Sequence, residues 1–358
     1  MNNKIKNIIT SLLFSFILIA FFIINIIKKD DDISVLERRH LEKFPKLTIN
    51  SLFNGTFFEK FDIYANDQFI NRDKFRNIKV NLELITKKNY NNLYFYNGYM
   101  SEQTYPLNEK SIINLTNKIN SIKDNYLINN NVYYTIVPDK NYFVNNNNLK
   151  MDYNKLKNIM NSNLIDFKYI DIFNLLSLND YYKTDSHWKE ENIKDVALYI
   201  ANNMGTDLNS TYKEKTITEF KGVYLNQLPI KMNMDSIKIL KNEIIDNSIV
   251  YNYETKKYSE VYDLEKINSL DKYDIYLSGA AALIEIVNNS APKKELIVFR
   301  DSYGSSLIPL LIEGYSKITV IDTRYISPKL LADYVDFNNK DVLFLYSVIS
   351  INNSYSFR

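Results

Sequence analysis

The chain has 358 residues, 46% hydrophobic and 24% charged, enough for one large domain or two small ones around a sizeable core. A formal net charge of +2 gives no footing for a nucleic-acid partner. The lack of cysteine excludes disulfides, thiolate catalysis, Cys-ligated metals and a lipidated N-terminal Cys, and fits an extracytoplasmic protein that avoids oxidation.

Residues 8–27 form an uncharged run of 20 residues, long enough to cross a bilayer as a helix. Lys4 and Lys6 precede it. Lys28 and Lys29 follow, then Asp30, Asp31 and Asp32, so the basic bias is nearly balanced. The short N-terminus and large C-terminal part favour N-in, C-out. No small-x-small site follows the run, so an uncleaved anchor over 1–29, with the lipid bilayer as its partner, is favoured over a removed signal peptide. Residues 30–75 are polar and mixed, with Glu37-Arg38-Arg39 and Phe44-Pro45, and read as a stalk and entry segment. The remainder, 76–358, reads as the extracytoplasmic catalytic domain.

Apolar positions at helical spacing from Phe57 to Ile85 predict one or two helices over 56–88. Tyr94–Tyr96 before Asn97-Gly98 predicts a short hairpin. Ile112, Leu115, Ile119 and Ile122 predict an amphipathic helix over 109–127. The β-branched and aromatic run Val132–Val137, ended by Pro138, predicts a buried strand. Tyr169–Ile172 and Ile275–Leu277 are further strand candidates, and 189–204 reads as a helix. Short strand-like runs over 215–265 suggest a β-rich insertion. Strand 295–299, helix 304–314, strand 317–321, helix 328–335 and strand 342–346 complete the chain. This alternation predicts an α/β fold, a three-layer αβα sandwich. There is no internal repeat, Walker loop or Gly-x-Gly-x-x-Gly pattern.

Only two histidines are present. His187 lies in Asp185-Ser186-His187-Trp188; His40 lies near the anchor without such sequence neighbours. Ser302, 115 residues after His187, follows a predicted strand and precedes a predicted helix. Ligands bind at the carboxyl ends of such strands. A serine there is exposed, and backbone N–H groups at the helix start could stabilise an oxyanion; the same position also suits a simple helix cap. Asp185 and His187, at i and i+2 of an extended segment, would project to one side, so the carboxylate can orient the imidazole; a helix cap ahead of 189–204 is the alternative. Together Ser302, His187 and Asp185 are the parts of a nucleophilic triad. Arg324 follows strand 317–321 and either faces the same crevice or pairs with Asp322 or Asp301. Asp301 reads as structural. No metal constellation is present, and no cofactor is expected.

Asp185-Ser186-His187-Trp188 resembles the signature of the DHHW protein family, similar to the alginate O-acetyltransferase proteins AlgX and AlgJ. The blocks Arg300–Tyr303, Ile321–Tyr325, Phe44-Pro45, Asp67-Gln68-Phe69-x-x-Arg72-Asp73 and Ile136–Lys140 carry the same resemblance over nearly the whole chain. Ser186 stands where the family name has its first histidine. The resemblance implies an SGNH-hydrolase-like fold with permuted motif order. It implies Ser302 as nucleophile, His187 as base, Asp185 as orienter, and Arg324 and Tyr325 on the substrate or oxyanion side. Tyr303 and Trp188, beside the triad, join that set of candidates. The function implied is a membrane-anchored O-acetyltransferase of a cell-surface polysaccharide, with an integral-membrane acyltransferase supplying acetyl groups. An acetyl esterase on surface glycans and a non-catalytic polysaccharide-binding or assembly protein are the alternatives.

Overall fold

A computed structural model describes residues 3–34, 39–87, 89–145, 148–228 and 232–358. Glu37 and Arg38 of the expected stalk lie outside these. The chain divides into two compact units, Met1–Lys88 with Asn226–Ile230, and Asn89–Leu225 with Lys231–Arg358.

The first unit is helical. Helix α1 (Asn3–Ile27) has no buried residue and is long and apolar enough to cross a membrane. Helices α2 (Ile49–Phe53), α3 (Thr56–Asp67) and α4 (Arg72–Lys87) follow. Between α3 and α4, Gln68 exchanges hydrogen bonds with the Asp31 backbone and donates to Glu42 O. The Asp67 carboxylate accepts from Glu42 N at 2.9 Å. Phe44 packs edge-on against Phe57, Phe61 and Tyr64. The Phe44 and Asp67-Gln68 blocks therefore tie the segment after α1 to the α3–α4 pair.

The second unit is built on an eight-stranded mixed sheet. In chain order its strands are β1 (Asn131–Val137), β2 (Lys168–Tyr169), β3 (Ile249–Asn252), β4 (Lys257–Ser259), β5 (Leu283–Val287), β6 (Glu295–Arg300), β7 (Lys317–Ile321) and β8 (Asp341–Ser347). Across the sheet the order is β4-β3-β5-β7-β6-β8-β1-β2. From β7 to β2 the pairs are parallel; from β4 to β7 they are antiparallel.

The central strands are apolar through most of their length because both faces are covered. On one face Leu296, Val298, Val320, Leu343 and Leu345 pack with Val196, Ala197 and Ile200 of helix Lys194–Asn203. On the other, Ile297, Phe299 and Phe344 pack with Ile112, Leu115 and Ile119 of helix Glu109–Tyr126 and Leu156 of helix Tyr153–Asn163. Register partners Phe299 and Phe344 stack with centroids 4.5 Å apart. Each such buried side chain stabilises the fold by about 1.5–3 kcal/mol.

Some elements differ from the sequence reading. The 275–277 run is not a strand: Lys272–Ile275 is a 3₁₀ turn, and the strand that joins the sheet is Leu283–Val287. Leu277 and Ser278 adopt positive φ, which breaks an extended run. Segments 308–314 and 328–333 are 3₁₀ rather than α, each with Pro in its first turn. In the 215–265 stretch, strands Lys213–Phe220 and Asp235–Lys241 form a separate antiparallel pair, whereas β3 and β4 extend the edge of the main sheet.

Candidate active site

Strand β6 lies between β7 and β8, so the chain leaves it first to one side and then to the other. The carboxyl end of β6 is therefore a topological switch point, where a crevice opens in α/β sheets. Ser302 sits two residues beyond that end, in the turn before the short helix Gly304–Leu307. Asp301 shapes the turn: its carboxylate accepts from Tyr303 N at 3.1 Å and from Ser347 N, at the end of β8, at 2.8 Å. This makes Asp301 structural, as its place in the sequence suggested. Gly304 is required because a Cβ there would meet Arg300 Cβ at 2.8 Å.

Asp185 and His187 lie in a tight loop closed by the Tyr181–Trp188 bridge. Tyr182 N donates to His187 O at 3.0 Å, and Lys189 N donates to Asp180 O at 2.7 Å. The loop is bent, not extended, so the i, i+2 argument is replaced by a local one. Asp185 Oδ1 accepts from His187 N at 3.0 Å and lies 2.6 Å from His187 Nδ1. Its Oδ2 accepts from Val223 N at 2.8 Å. Burial pushes the Asp185 carboxyl up, but His187 and the two backbone donors outweigh it and hold the group well below the usual carboxylate range. Asp185 is thus a fixed anion.

His187 Nε2 lies 2.8 Å from Ser302 Oγ. Asp185, His187 and Ser302 form one hydrogen-bonded line that joins a histidine and a serine 115 residues apart. Asp185 is buried, whereas His187 and Ser302 are partly exposed. Ser302 and the imidazole are therefore accessible to solvent and the Asp185 carboxylate is not.

The other expected site residues take different places. Trp188 is fully buried and donates from Nε1 to Tyr303 O and Ser306 Oγ. Tyr303 is 3% exposed and donates to Ser186 O at 2.8 Å. Both brace the histidine loop against the serine turn and present no polar atom to a ligand. Arg324 donates from Nε and a terminal nitrogen to the two oxygens of the fully buried Asp322, the alternative weighed for it from sequence. Tyr325 is 45% exposed, with Arg324 over its ring at 5.6 Å. Ser186 Oγ lies 3.5 Å from Asp185 Oδ1 and from His187 Nδ1. The helix-start amides expected as oxyanion donors are mostly engaged: Tyr303 N, Gly304 N and Ser305 N donate to Asp301 Oδ1, Asp301 O and Ser302 O. Ser302 N–H donates to no described residue.

Several supporting residues carry no sequence signal. The Tyr273 ring stacks on His187 at 3.9 Å, and its hydroxyl is 2.8 Å from Ser306 Oγ. Asp235 accepts from Lys183 N, Thr184 N and Thr184 Oγ1. Gly222 N donates to Thr184 Oγ1, and a Cβ at 222 would meet Asp185 Cβ at 2.4 Å. Lys140, just past β1, is 2% exposed, donates to Tyr182 O at 3.0 Å and lies 4.9 Å from the Tyr224 ring centroid. Burial lowers its ammonium to about 7, against the opposing pull of Asp185 and Asp235. Among the described residues no group of three or more His, Asp or Glu side chains could hold a metal ion.

No family model matches the chain, and no curated protein sequence matches it. Solved structures do. A DHHW family protein from Eubacterium siraeum superposes at a TM-score of 0.61 with 18% identity, over 75% of this chain and 95% of that one. The chain has the fold of a DHHW protein. Bacillus cereus PatB1 superposes at 0.58 with 17% identity, over 72% of this chain and 96% of its own, and a second PatB1 structure carries a sulfonyl adduct. The O-acetyltransferase domain of Pseudomonas putida AlgJ, with 11% identity, covers 73% of this chain and 92% of its own at 0.45, too distant to carry an argument. This DHHW-like fold is what the sequence resemblance implied; at these identities the likeness concerns the fold.

Proposed function

We propose that this chain is a membrane-anchored, extracytoplasmic O-acetyltransferase that modifies a cell-surface polysaccharide through a covalent acetyl-serine. The observation that carries the reading is the line from Asp185 through His187 to Ser302 at the switch point of the sheet. His187 Nε2 takes the Ser302 proton as Oγ attacks the acetyl carbonyl. Asp185 holds the ring and offsets the imidazolium charge. The tetrahedral oxyanion forms near Ser302 N–H, which donates to no partner among the described residues. Collapse expels the donor's leaving group, protonated by His187. A sugar hydroxyl then gives its proton to His187 and takes the acetyl group, regenerating Ser302.

On this reading the motif order, Asp-x-His before Ser, is a permuted version of an SGNH-hydrolase-like arrangement. Residues 8–27 anchor the chain, and the catalytic domain lies outside. The acetyl donor must then be presented outside the membrane, which calls for an integral-membrane acyltransferase partner. The sulfonyl adduct of PatB1, a protein of similar fold, is consistent with an activated nucleophile on this scaffold. Arg324 and Tyr325 form the substrate side, with Asp322 aligning the guanidinium.

The test is a partition experiment. The full chain is given a small acetyl ester with and without an oligosaccharide acceptor, and acetate and acetylated sugar are both measured. Acetylated sugar made by the wild type and not by Ser302→Ala supports the reading. Acetate alone at saturating acceptor would make the protein an esterase, and equal transfer by Ser302→Ala would remove the serine mechanism.

A further inference from the structure

Helix α4 carries an apolar stripe that is largely exposed among the described residues. Phe75, Ile78, Leu82 and Ile85 are 48%, 57%, 57% and 78% exposed. Their spacing of three, four and three residues places them on one face. Val80 points the opposite way and is 1% exposed. The helix is therefore anchored by one side and bare on the other. Lys74 and Lys79 border the bare stripe on either flank. Along the helix Arg72, Lys74, Arg76, Lys79 and Lys87 stand against only Asp73 and Glu83. A basic helix with a narrow exposed apolar face is the composition of a helix that lies in a membrane surface.

The first unit says how deep that face lies. The Phe69 ring, just before α4, stacks on Phe21 of α1 at 5.7 Å, and Phe75 meets the same ring edge-on at 6.3 Å. Asn25 of α1 accepts a hydrogen bond from Ile70 N at 2.7 Å. Phe21 is six residues before the end of α1, about 9 Å along the helix axis at 1.5 Å per residue. If α1 spans a bilayer, Phe75 sits about 9 Å inside the outer edge of the apolar span, within the roughly 5–10 Å to which the apolar face of an interfacial helix sinks.

We propose that α4 lies in the surface of the bilayer that α1 crosses, with Phe75, Ile78, Leu82 and Ile85 among the acyl chains and Lys74 and Lys79 at anionic headgroups. This rests on the reading of α1 as a membrane-spanning helix. The first unit is then held at two places, by a span and by a surface helix, rather than swinging from a single tether.

Because the chain has no cysteine, single labels are clean. Leu82→Cys, Ile17→Cys in α1 and Asn129→Cys on the exposed surface are each labelled with an environment-sensitive fluorophore. The full-length protein is reconstituted into phosphatidylethanolamine–phosphatidylglycerol vesicles and quenched with aqueous iodide and with spin-labelled lipids. The expected result is that the Leu82 label resists iodide and is quenched best by shallow spin labels. The Ile17 label is quenched best by deep ones, and the Asn129 label by iodide. Iodide quenching of the Leu82 label equal to that at Asn129, with Ile17 still deep, overturns the proposal and leaves the anchor standing. Iodide access to Ile17 overturns the anchor and the proposal together. A Leu82 label shielded from iodide but indifferent to spin-labelled lipid means that protein covers the stripe, which also overturns it.

Discussion

The ring of Tyr273 lies flat against the imidazole of His187, with centroids 3.9 Å apart and planes 11° apart. Tyr273 is buried, and its hydroxyl meets Ser306, which also accepts from Trp188. A chain of contacts thus runs from the serine turn to the ring beneath His187. It fixes the imidazole plane while Asp185 fixes its rotation. Tyr273→Ala should lower turnover of an acetyl ester by about 10²-fold, the cost of a catalytic group displaced by about 1 Å. Tyr273→Phe keeps the ring and should lose far less. Steady-state kinetics on both variants checks this, and equal losses would assign the effect to the hydroxyl.

Gly222 lies against the back of Asp185. An added Cβ would sit 2.4 Å from both Asp185 Cβ and Thr184 O, and neither can move without shifting the histidine loop. Gly222→Ala should destabilise the protein by about 1–3 kcal/mol and depress turnover. Urea unfolding alongside an esterase assay tests both. An unchanged midpoint with unchanged turnover would contradict the close approach.

Lys140 gives a pH dependence. Burial lowers its pKa to about 7 in the folded protein, whereas an unfolded lysine holds its proton to about 10.4. Between these values the unfolded state binds more protons, so this group's contribution to stability rises with pH. Below about pH 7 both states are protonated and the contribution is constant. Lys140→Met removes it. Paired urea titrations of the full chain in mild detergent should show the wild type gaining stability relative to the variant from about pH 7 to about pH 10. A difference that does not change with pH would contradict the burial argument.

Asp185 is held ionised by His187 and two backbone N–H groups, so it orients the imidazole as a carboxylate. Asp185→Asn keeps the size and removes the charge. Turnover should fall by about 10⁴-fold with the fold intact by circular dichroism. A fall of less than tenfold would mean that the imidazole is oriented by other contacts.

The meeting of Asp185, His187 and Ser302 was legible in the sequence because candidates were few. Two histidines left one plausible base, and the apolar run Leu296–Phe299 marked a central strand whose carboxyl end holds Ser302. The central strands were legible for the same reason: burial on both faces writes itself as continuous apolar sequence. Tyr273 was not legible, since nothing separates it from the other tyrosines among 29. Gly222, Val223 and Asp235 were not either; they reach the Asp185 loop across 38 to 51 residues through backbone contacts that leave no pattern. Strand Leu283–Val287 was missed because its alternation is short and follows an irregular turn at Leu277–Gly279 with positive φ. The bend at Asp185 was read as extended because a side chain bonding its own neighbour is a local choice that periodicity does not register.

The proposed mechanism stands or falls on acetylation of Ser302. The most direct measurement is intact-mass spectrometry of the protein after a brief pulse of an acetyl ester, followed by peptide mapping, for the wild type and Ser302→Ala. The expected result is a transient acetyl adduct on Ser302 in the wild type and none in the variant. A folded wild type that turns over the ester with no adduct at Ser302, or an adduct that survives in Ser302→Ala, would contradict it.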